Sequence, residues 1–446
     1  MSTDTSPPIP SRAKIHLGQR LKRPPRVRAA GALAYPAFRW FALAQFISFS
    51  LLIIQMMVRG WQMQELTHSP FMVSLVGALH VLPMLFFGFF GGELADRLPR
   101  KWVVIFGEVG QLIGFAGLAV AAALDVVQPW HILATTALLG IVMALVSPSR
   151  QALIVDTVPR EHHRKAIGAY MVVVHLTILV GPAIGGPLLT GIGINATLIV
   201  STFAFISCIP IYLLVRPLEA QKRTPTKGPF AKNLVEGVRY ICREPSLRWM
   251  FLAFFVMVLF VNTWGGLFPT IAEDVLHRGA GGLSGIALAV GVGALTGAVL
   301  AMVLAGKVPD VRLQFAGGLL FAAFVILLAS STWYPLSLVA TTFAAACGAP
   351  FFISNMAATQ LNSDEEHRGR VISVRYVVSA VQPIGLIAMG ALAEVIGPQL
   401  ALGGSAAIGG SLLLLIALTV ARKDLFSANG ARPERTAPST ADNAAV

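Results

Sequence analysis

Gly91-Gly-Glu-Leu-Ala-Asp-Arg-Leu-Pro-Arg-Lys101 is a short charged interruption between two long apolar stretches, 71–92 and 102–124. Each stretch is close to the roughly 20 residues a helix needs to cross about 30 Å of hydrocarbon. The interruption therefore reads as a loop joining two membrane spans at one surface. Moving outward from it, the same pattern recurs along most of the chain. Spans are predicted at 38–60, 71–92, 102–124, 129–149, 166–190, 194–215, 247–271, 283–305, 312–331, 334–358, 371–396 and 400–421. Composition agrees: the 446 residues are 55% hydrophobic and 12% charged, with mean hydropathy +0.72. Soluble domains carry about 25% charged residues.

The net charge of +13 would suit a nucleic-acid binder, but the positions of the charges exclude one. Loops alternate between basic and nearly charge-free. Arg97, Arg100 and Lys101 follow span two, Arg160 and Arg164 follow span four, and Lys222, Arg223, Lys227, Lys232, Arg239 and Arg243 fill the middle loop. Of the 34 Lys and Arg, all but Arg59 and Arg278 fall toward one side. This positive-inside bias predicts a multi-pass membrane protein with both termini in the cytoplasm. Cys208 and Cys347 lie within predicted spans and Cys242 in the basic middle loop, so no disulfide framework is implied. Residues 1–37 lack the apolar core of a signal peptide. They read as a disordered basic tail, and 422–446 as a disordered cytoplasmic tail.

The middle loop, 216–246, divides the spans into six-helix bundles at 38–215 and 247–421. Within it Phe230, Leu234, Val238 and Ile241 recur at helical spacing among charged residues, which predicts an amphipathic helix lying on the inner leaflet. The bundles echo each other. Trp130-His-Ile-Leu-Ala-Thr-Thr136 is similar to the stretch Trp333–Thr342, and Ala95-Asp-Arg-Leu-Pro99 to Ala305-Gly-Lys-Val-Pro309, at nearly constant offset. Parallel six-span repeats are an architecture of secondary transporters, with the substrate site between them. The fold class predicted is all-α integral membrane: twelve transmembrane helices in two six-helix pseudo-repeats.

The opening loop carries chemistry as well as topology. Paired glycines allow span two to approach a neighbour closely, and Asp96 can pair with basic residues or cap a facing helix. Here the chain resembles the major facilitator superfamily, whose loop signature is Gly-x-x-x-Asp-Arg-x-Gly-Arg-Lys/Arg. Gly92, Asp96, Arg97, Arg100 and Lys101 match it, and Pro99 replaces a glycine. The resemblance implies a cytoplasmic gate, with a plain basic topology anchor as the alternative. In span five, Val180-Gly-Pro-Ala-Ile-Gly-Gly-Pro187 places Gly181, Pro182, Gly185 and Gly186 in a kinked, small-faced helix. Gly285, Ala289, Gly293 and Gly297 of span eight offer a matching ridge. The span-five core resembles the motif of the superfamily's exporters. Gly60-Trp61, Pro148-Ser-Arg-Gln-Ala152 and Arg368-Gly-Arg-Val371 further resemble the branch containing the enterobactin exporter and macrolide efflux proteins. That resemblance implies proton-driven efflux of drug or siderophore-like molecules. The alternatives are proton-coupled uptake and a membrane sensor without transport.

Candidate site residues follow. Gln45, Ser48, Gln55 and Arg59 share one sector of span one; they line a substrate cavity or form a helix-packing stripe. Arg59, near the predicted outer end, either snorkels to headgroups or faces the cavity and favours anionic substrates. Asn262 and Trp264 of span seven and Arg375 and Gln382 of span eleven are further cavity candidates. Intramembrane ionisable residues default to function, which makes Glu108, His80, His175 and Glu394 the proton-coupling candidates. For each histidine a neutral packing role is the alternative, and Glu108 could instead join the Asp96 network. No phosphate-binding loop, metal set or catalytic constellation appears, so no enzyme activity, metal or cofactor is expected. The expected partners are a small-molecule substrate, protons and membrane lipid, with no nucleic acid, and the chain is expected to act as a monomer.

Overall fold

The structure is a computed structural model that describes residues 31–218, 230–361 and 364–422. These residues are helical almost throughout, and no strand occurs among them beyond an isolated bridge between Ala305 and Val308 at the turn after span eight. Eleven continuous helical segments are long and apolar enough to cross a membrane. One of them, Arg160–Leu214, has 55 residues. A straight helix of that length would measure about 80 Å, far more than one crossing needs.

It folds back at Gly193, whose φ of +82° and ψ of 177° are open to glycine at little cost. Packing on span one proves the reversal. A Cβ on Gly185 would sit 2.9 Å from Ile54 Cγ1, and Gln55 Nε2 donates to Leu198 O at 3.2 Å. Gly185 and Leu198 therefore share one depth, whereas a straight helix would hold them about 20 Å apart. Spans five and six form a hairpin, and the chain crosses twelve times.

Two sequence boundaries shift, with consequences for chemistry. Span one runs Pro36–Thr67, and span four Pro129–Asp156. Their polar ends stay helical because Gln, Met, Leu and Arg are good helix formers. Arg59 thus lies about two turns inside the end of span one, and Arg150 lies inside span four.

Spans seven and eleven are broken. Span seven, Pro245–Val275, passes through a π-helical turn at Met257–Val261 and a 3-10 turn at Trp264–Leu267. Span eleven breaks between Ser379 and Gln382. Irregular backbone inside a membrane survives where protein satisfies the freed groups. Gln382 Nε2 does so for span seven, donating to Asn262 O at 3.0 Å.

Side chains such as Phe203, Met302 and Val395, with exposures of 68%, 71% and 82%, face outward, where lipid replaces water as solvent. The largest apolar cluster joins both bundles, from Ile54, Val58 and Val73 to Phe254, Leu267 and Leu283. A second, around Phe38, Phe115, Phe205 and Tyr212, belongs to the first bundle alone. Residues 54–73 lie at the end of span one far from the basic loops, so the bundles pack most firmly toward that far face.

The linker helix Phe230–Arg243 corrects one expectation. Instead of lying free on the leaflet, it docks on the basic end of span eleven. Ile241 is buried with Leu247, Phe251, Val371 and Val374, and a Cβ on Gly237 would lie 2.8 Å from Arg370 O. Glu236 pairs with Arg370 at 3.2 Å, and the Tyr240 ring stacks on His367 at 4.5 Å. Tyr240 OH donates to Asp364, and partial burial raises the pKa of its phenol, keeping it a donor. Val238, predicted on the apolar face, is exposed. Phe230 falls outside the described side chains.

Candidate functional site

A cavity of about 350 Å³ lies between the bundles, walled by spans one, two, seven and eight. Met56, Met57 and Gly60 face His80, Phe268 and Leu283 across it. The lining is nearly all apolar, and His80, with its Nδ1 unpartnered among the described residues, is the titratable group in it. Such a chamber suits a largely apolar small molecule.

Toward the far face the two bundles are tied by directional bonds. Gln64 Nε2 donates to Asp274 Oδ2 at 3.2 Å, and Thr270 Oγ1 donates to Gln64 Oε1 at 2.8 Å. Glu394 of span eleven accepts from Ser69 Oγ at 2.8 Å and from Phe71 N at 3.2 Å. Its carboxylate thereby caps the positive N-terminus of span two from the other bundle. Toward the basic face, a bond between the bundles runs from Tyr376 OH to Gln151 Oε1 at 3.0 Å.

Span five wedges between the bundles. Gly181 and Gly185 meet span one, where a Cβ would lie 2.9 Å from Ile53 Cγ2 and from Ile54 Cγ1 respectively. Gly186 meets Ser284 of span eight, and Gly291 meets the backbone of Leu179. Pro182 is buried, and Gly193 is the residue with non-helical dihedrals in the 44-residue helix. The span-eight ridge does not face span five as expected. Gly285 meets Tyr334, Gly293 meets Thr342 and Gly297 meets Ala346, all of span ten. Four-residue spacing identifies a packing face but not its partner.

The polar stripe of span one points into the first bundle, not into the cavity, whose wall comes from the other face of that helix at Leu52, Ile53 and Met56. Ser48 Oγ donates to Glu108 Oε2 at 2.7 Å. Arg150 Nη2 pairs with Glu108 Oε1 at 2.7 Å, with both side chains at most 2% exposed. The Arg150 guanidinium also lies 5.0 Å over the Phe49 ring. Gln45 accepts from Tyr212 OH, and Gln55 donates to Ser201 and Thr202 of span six. Arg59 is fully buried. It neither snorkels nor faces the cavity, but donates to Thr136 Oγ1 and Gly114 O, each at 3.2 Å.

Arg150 and Asp156 were missed as site residues. Arg150 was legible as a charge beside an apolar run, yet ending span four at residue 149 left it in a loop. The loop after span two ties together elements of its own bundle. Arg100 Nη1 pairs with Asp156 at 2.8 Å, Lys101 Nζ donates to Leu213 O, and Arg97 pairs with Glu93 on its own helix. Asp96 is exposed and makes no pair with the described residues. Close approach is made by Gly91, where a Cβ would lie 2.8 Å from Leu145 O, while the space around Gly92 is open.

His175 bonds the Met171 carbonyl of its own helix. Trp264 is buried in the second bundle, edge-on to Phe268 and Phe321. Arg375 bonds Asn355 and lies 4.2 Å over the Phe254 ring.

Two pseudo-repeated six-helix bundles around a central chamber, closed by side chains at one face, define a membrane transporter of the major facilitator type. The chain belongs to the transmembrane secretion effector family of these proteins, whose sequence profile matches residues 29–439. It is 32% identical over 276 residues to the enterobactin exporter EntS of Shigella boydii, covering 60% of this chain and 64% of that protein. It is 26% identical over 186 residues to the MFS-type transporter YfiS of Bacillus subtilis, covering 41% and 43% respectively. The aligned regions thus span less than two thirds of either relative.

Among solved structures, a bacterial homologue of the human lysosomal transporter Spinster in an inward-facing, unoccupied conformation aligns with TM-score 0.64 at 16% identity, over 88% of this chain and 97% of that one. A POT family transporter in complex with 5-aminolevulinic acid aligns with TM-score 0.69 at 12% identity, over 87% and 96%. At such identities the likeness is one of fold.

Proposed function

We propose that the protein exports small amphipathic molecules, drug-like or siderophore-like, across the bacterial inner membrane by alternating access coupled to proton antiport. The chain acts as a monomer with both termini in the cytoplasm, so the basic face is the cytoplasmic one. The bonds of Asp274 and Glu394 then close the outer side. An apolar chamber draws its cargo from the inner leaflet or cytoplasm. The name of the Shigella relative supports export.

The observation that carries proton coupling is the buried Glu108–Arg150 pair with its Ser48 donor. The Glu108 carboxyl, fully buried in lipid-embedded protein, has the Arg150 cation and the Ser48 hydroxyl as its partners. When a proton from outside reaches Glu108, the pair loses its attraction and Arg150 must find other acceptors. That change of partners between spans three and four supplies the difference in energy between the two states that coupling requires. Proton loss to the cytoplasm restores the pair. Asp96, exposed beside Arg97, serves the inner gate in the opposite state, when the second bundle closes over it. His80 sits where a bound substrate would touch it and links cargo to protonation.

Glu108→Gln is expected to abolish substrate efflux driven by an imposed pH gradient in proteoliposomes. Transport of a diverse compound panel by cells with and without the protein, with a protonophore control, identifies the cargo. Proton-gradient-dependent efflux that survives Glu108→Gln unchanged removes the carboxylate from the mechanism.

A further inference from the structure

The first bundle holds an unusual concentration of buried polar atoms without hydrogen-bond partners among the described residues. They include Gln45 Nε2, Gln55 Oε1, Arg59 Nε, both amide atoms of Gln111, and Arg150 Nε. Gln55, Arg59 and Gln111 are 0% exposed. Leaving such groups unsatisfied is costly, so a site of this kind is ordinarily completed by internal water.

The groups are ordered along one line. Glu108, Gln111 and Gly114 are three residues apart and share a face of span three. Ser48 of span one meets Glu108, and Arg59 of the same span meets Gly114 O. Gln55 and Gln111 lie between those two crossings. The line therefore runs from the ion pair outward to Arg59, inside the bundle and behind the wall of the substrate chamber.

A polar file of this length across the middle of the membrane is a hazard, since hydrated side chains can relay protons and dissipate the gradient. Arg59 stands at its outer end. It is a buried cation with neutral partners, Thr136 Oγ1, Gly114 O and the Phe115 ring at 5.6 Å, and it forms no ion pair among the described residues. A charge kept without a counter-ion in this position is costly and by default functional. Cationic groups in narrow pores exclude protons in the same way.

We infer that the first bundle contains a hydrated polar file from Glu108 through Gln111 and Gln55, and that Arg59 is the fixed charge that stops protons from running along it. In the file each water accepts a proton from one side and gives one to the other, while the Gln amides hold the waters in line by hydrogen bonds and are not themselves protonated. The proton's destination is the Glu108 carboxylate, and the Arg59 charge raises the barrier to its entry from outside through this route. The inference rests on the antiport reading of Glu108 and adds to it, and its test needs no substrate.

Full-length protein is reconstituted in liposomes containing a pH-sensitive dye, and passive proton flux under an imposed pH gradient is measured. Arg59→Met is expected to raise protein-dependent flux by about tenfold to 100-fold, the range expected from removing a unit charge one helical turn away. Arg59→Lys keeps the charge and stays tight. Gln111→Leu added to Arg59→Met closes the leak. A tight Arg59→Met protein that elutes and melts like wild type overturns the stop, and a leak indifferent to Gln111→Leu overturns the file. Should Arg59→Met not fold, radiolytic labelling of the wild type in oxygen-18 water decides the matter. Label at fully buried Phe115 supports the file, and its absence there refutes it. Failure to find any exported compound would leave both readouts intact.

Discussion

The two bundles descend from one plan but keep their shape by different means. The first is polar inside: Glu108 with Arg150, Arg100 with Asp156, and Arg59 on neutral acceptors. The second is held by aromatic contacts around Trp264, Phe268, Phe321 and Phe351, and its half-buried cation Arg375 rests on Asn355 and Phe254 with no carboxylate partner among the described residues. The first keeps continuous helices in spans one and five, while the second breaks their counterparts, spans seven and eleven. A bundle with fixed charges can bind and release a proton, and one with broken helices can bend. The difference suggests a division of labour between chemistry and motion.

The largest effect should come from removing one member of the buried pair. Arg150→Met leaves Glu108 uncompensated, and a loss of about 3–5 kcal/mol of stability is expected. Thermal unfolding in detergent measures it. Glu108→Leu with Arg150→Met should recover most of that stability while remaining inactive. A double variant no more stable than Arg150→Met alone would show that the bundle is not held by this pair.

Next come the glycines, which separate contacts within a bundle from contacts between bundles. Gly297→Val strikes the backbone of Ala346 inside the second bundle, and about 1–3 kcal/mol of destabilisation is expected. Gly186→Val strikes Ser284 across the bundles, where the two bodies can separate instead. It should slow transport while lowering the melting temperature less than Gly297→Val. Equal losses in both would mean that spans five and eight belong to one rigid body.

A smaller effect is expected at the outer closure. Asp274→Asn or Glu394→Gln weakens one set of charge-assisted bonds by about 1 kcal/mol, which raises the outward-open population about fivefold. Labelling of Met57→Cys by a membrane-impermeant thiol reagent added outside reads this directly. The smallest effect belongs to Arg97→Ala. Its exposed pair with Glu93 is worth at most about 0.5 kcal/mol, and unfolding should not register the change. Any clear stability loss there would give the loop a structural role that its geometry denies.

Most of the architecture was legible from apolar run lengths and the alternation of loop charge, because both follow from what a bilayer tolerates. Even the tight turn at Gly193 fell between the predicted ends 190 and 194. Site chemistry was less legible, for two reasons. Helices continue through polar ends that hydropathy cuts off, which hid Arg150 in a loop and put Arg59 at a membrane surface. A polar stripe on span one also has two sides to face, and periodicity cannot say whether Gln45 and Gln55 meet substrate or span six. Partner choice depends on three-dimensional neighbours, as the span-eight ridge showed by turning to span ten. Glu108 and Glu394 stand out in the sequence because charge in an apolar run is conspicuous on its own.

The docked linker helix sets a leash. Since Phe230–Arg243 packs on span eleven, and Leu218 N is bonded to Asp156 O on span four, the covalent link between the two bundles is the stretch of chain from Leu218 to Phe230. Fully stretched, that tether reaches about 40 Å. On the alternating-access reading proposed above, opening at the basic face has a covalent limit, and shortening the tether by a few residues at a time would turn it into a ruler for how far that face must open.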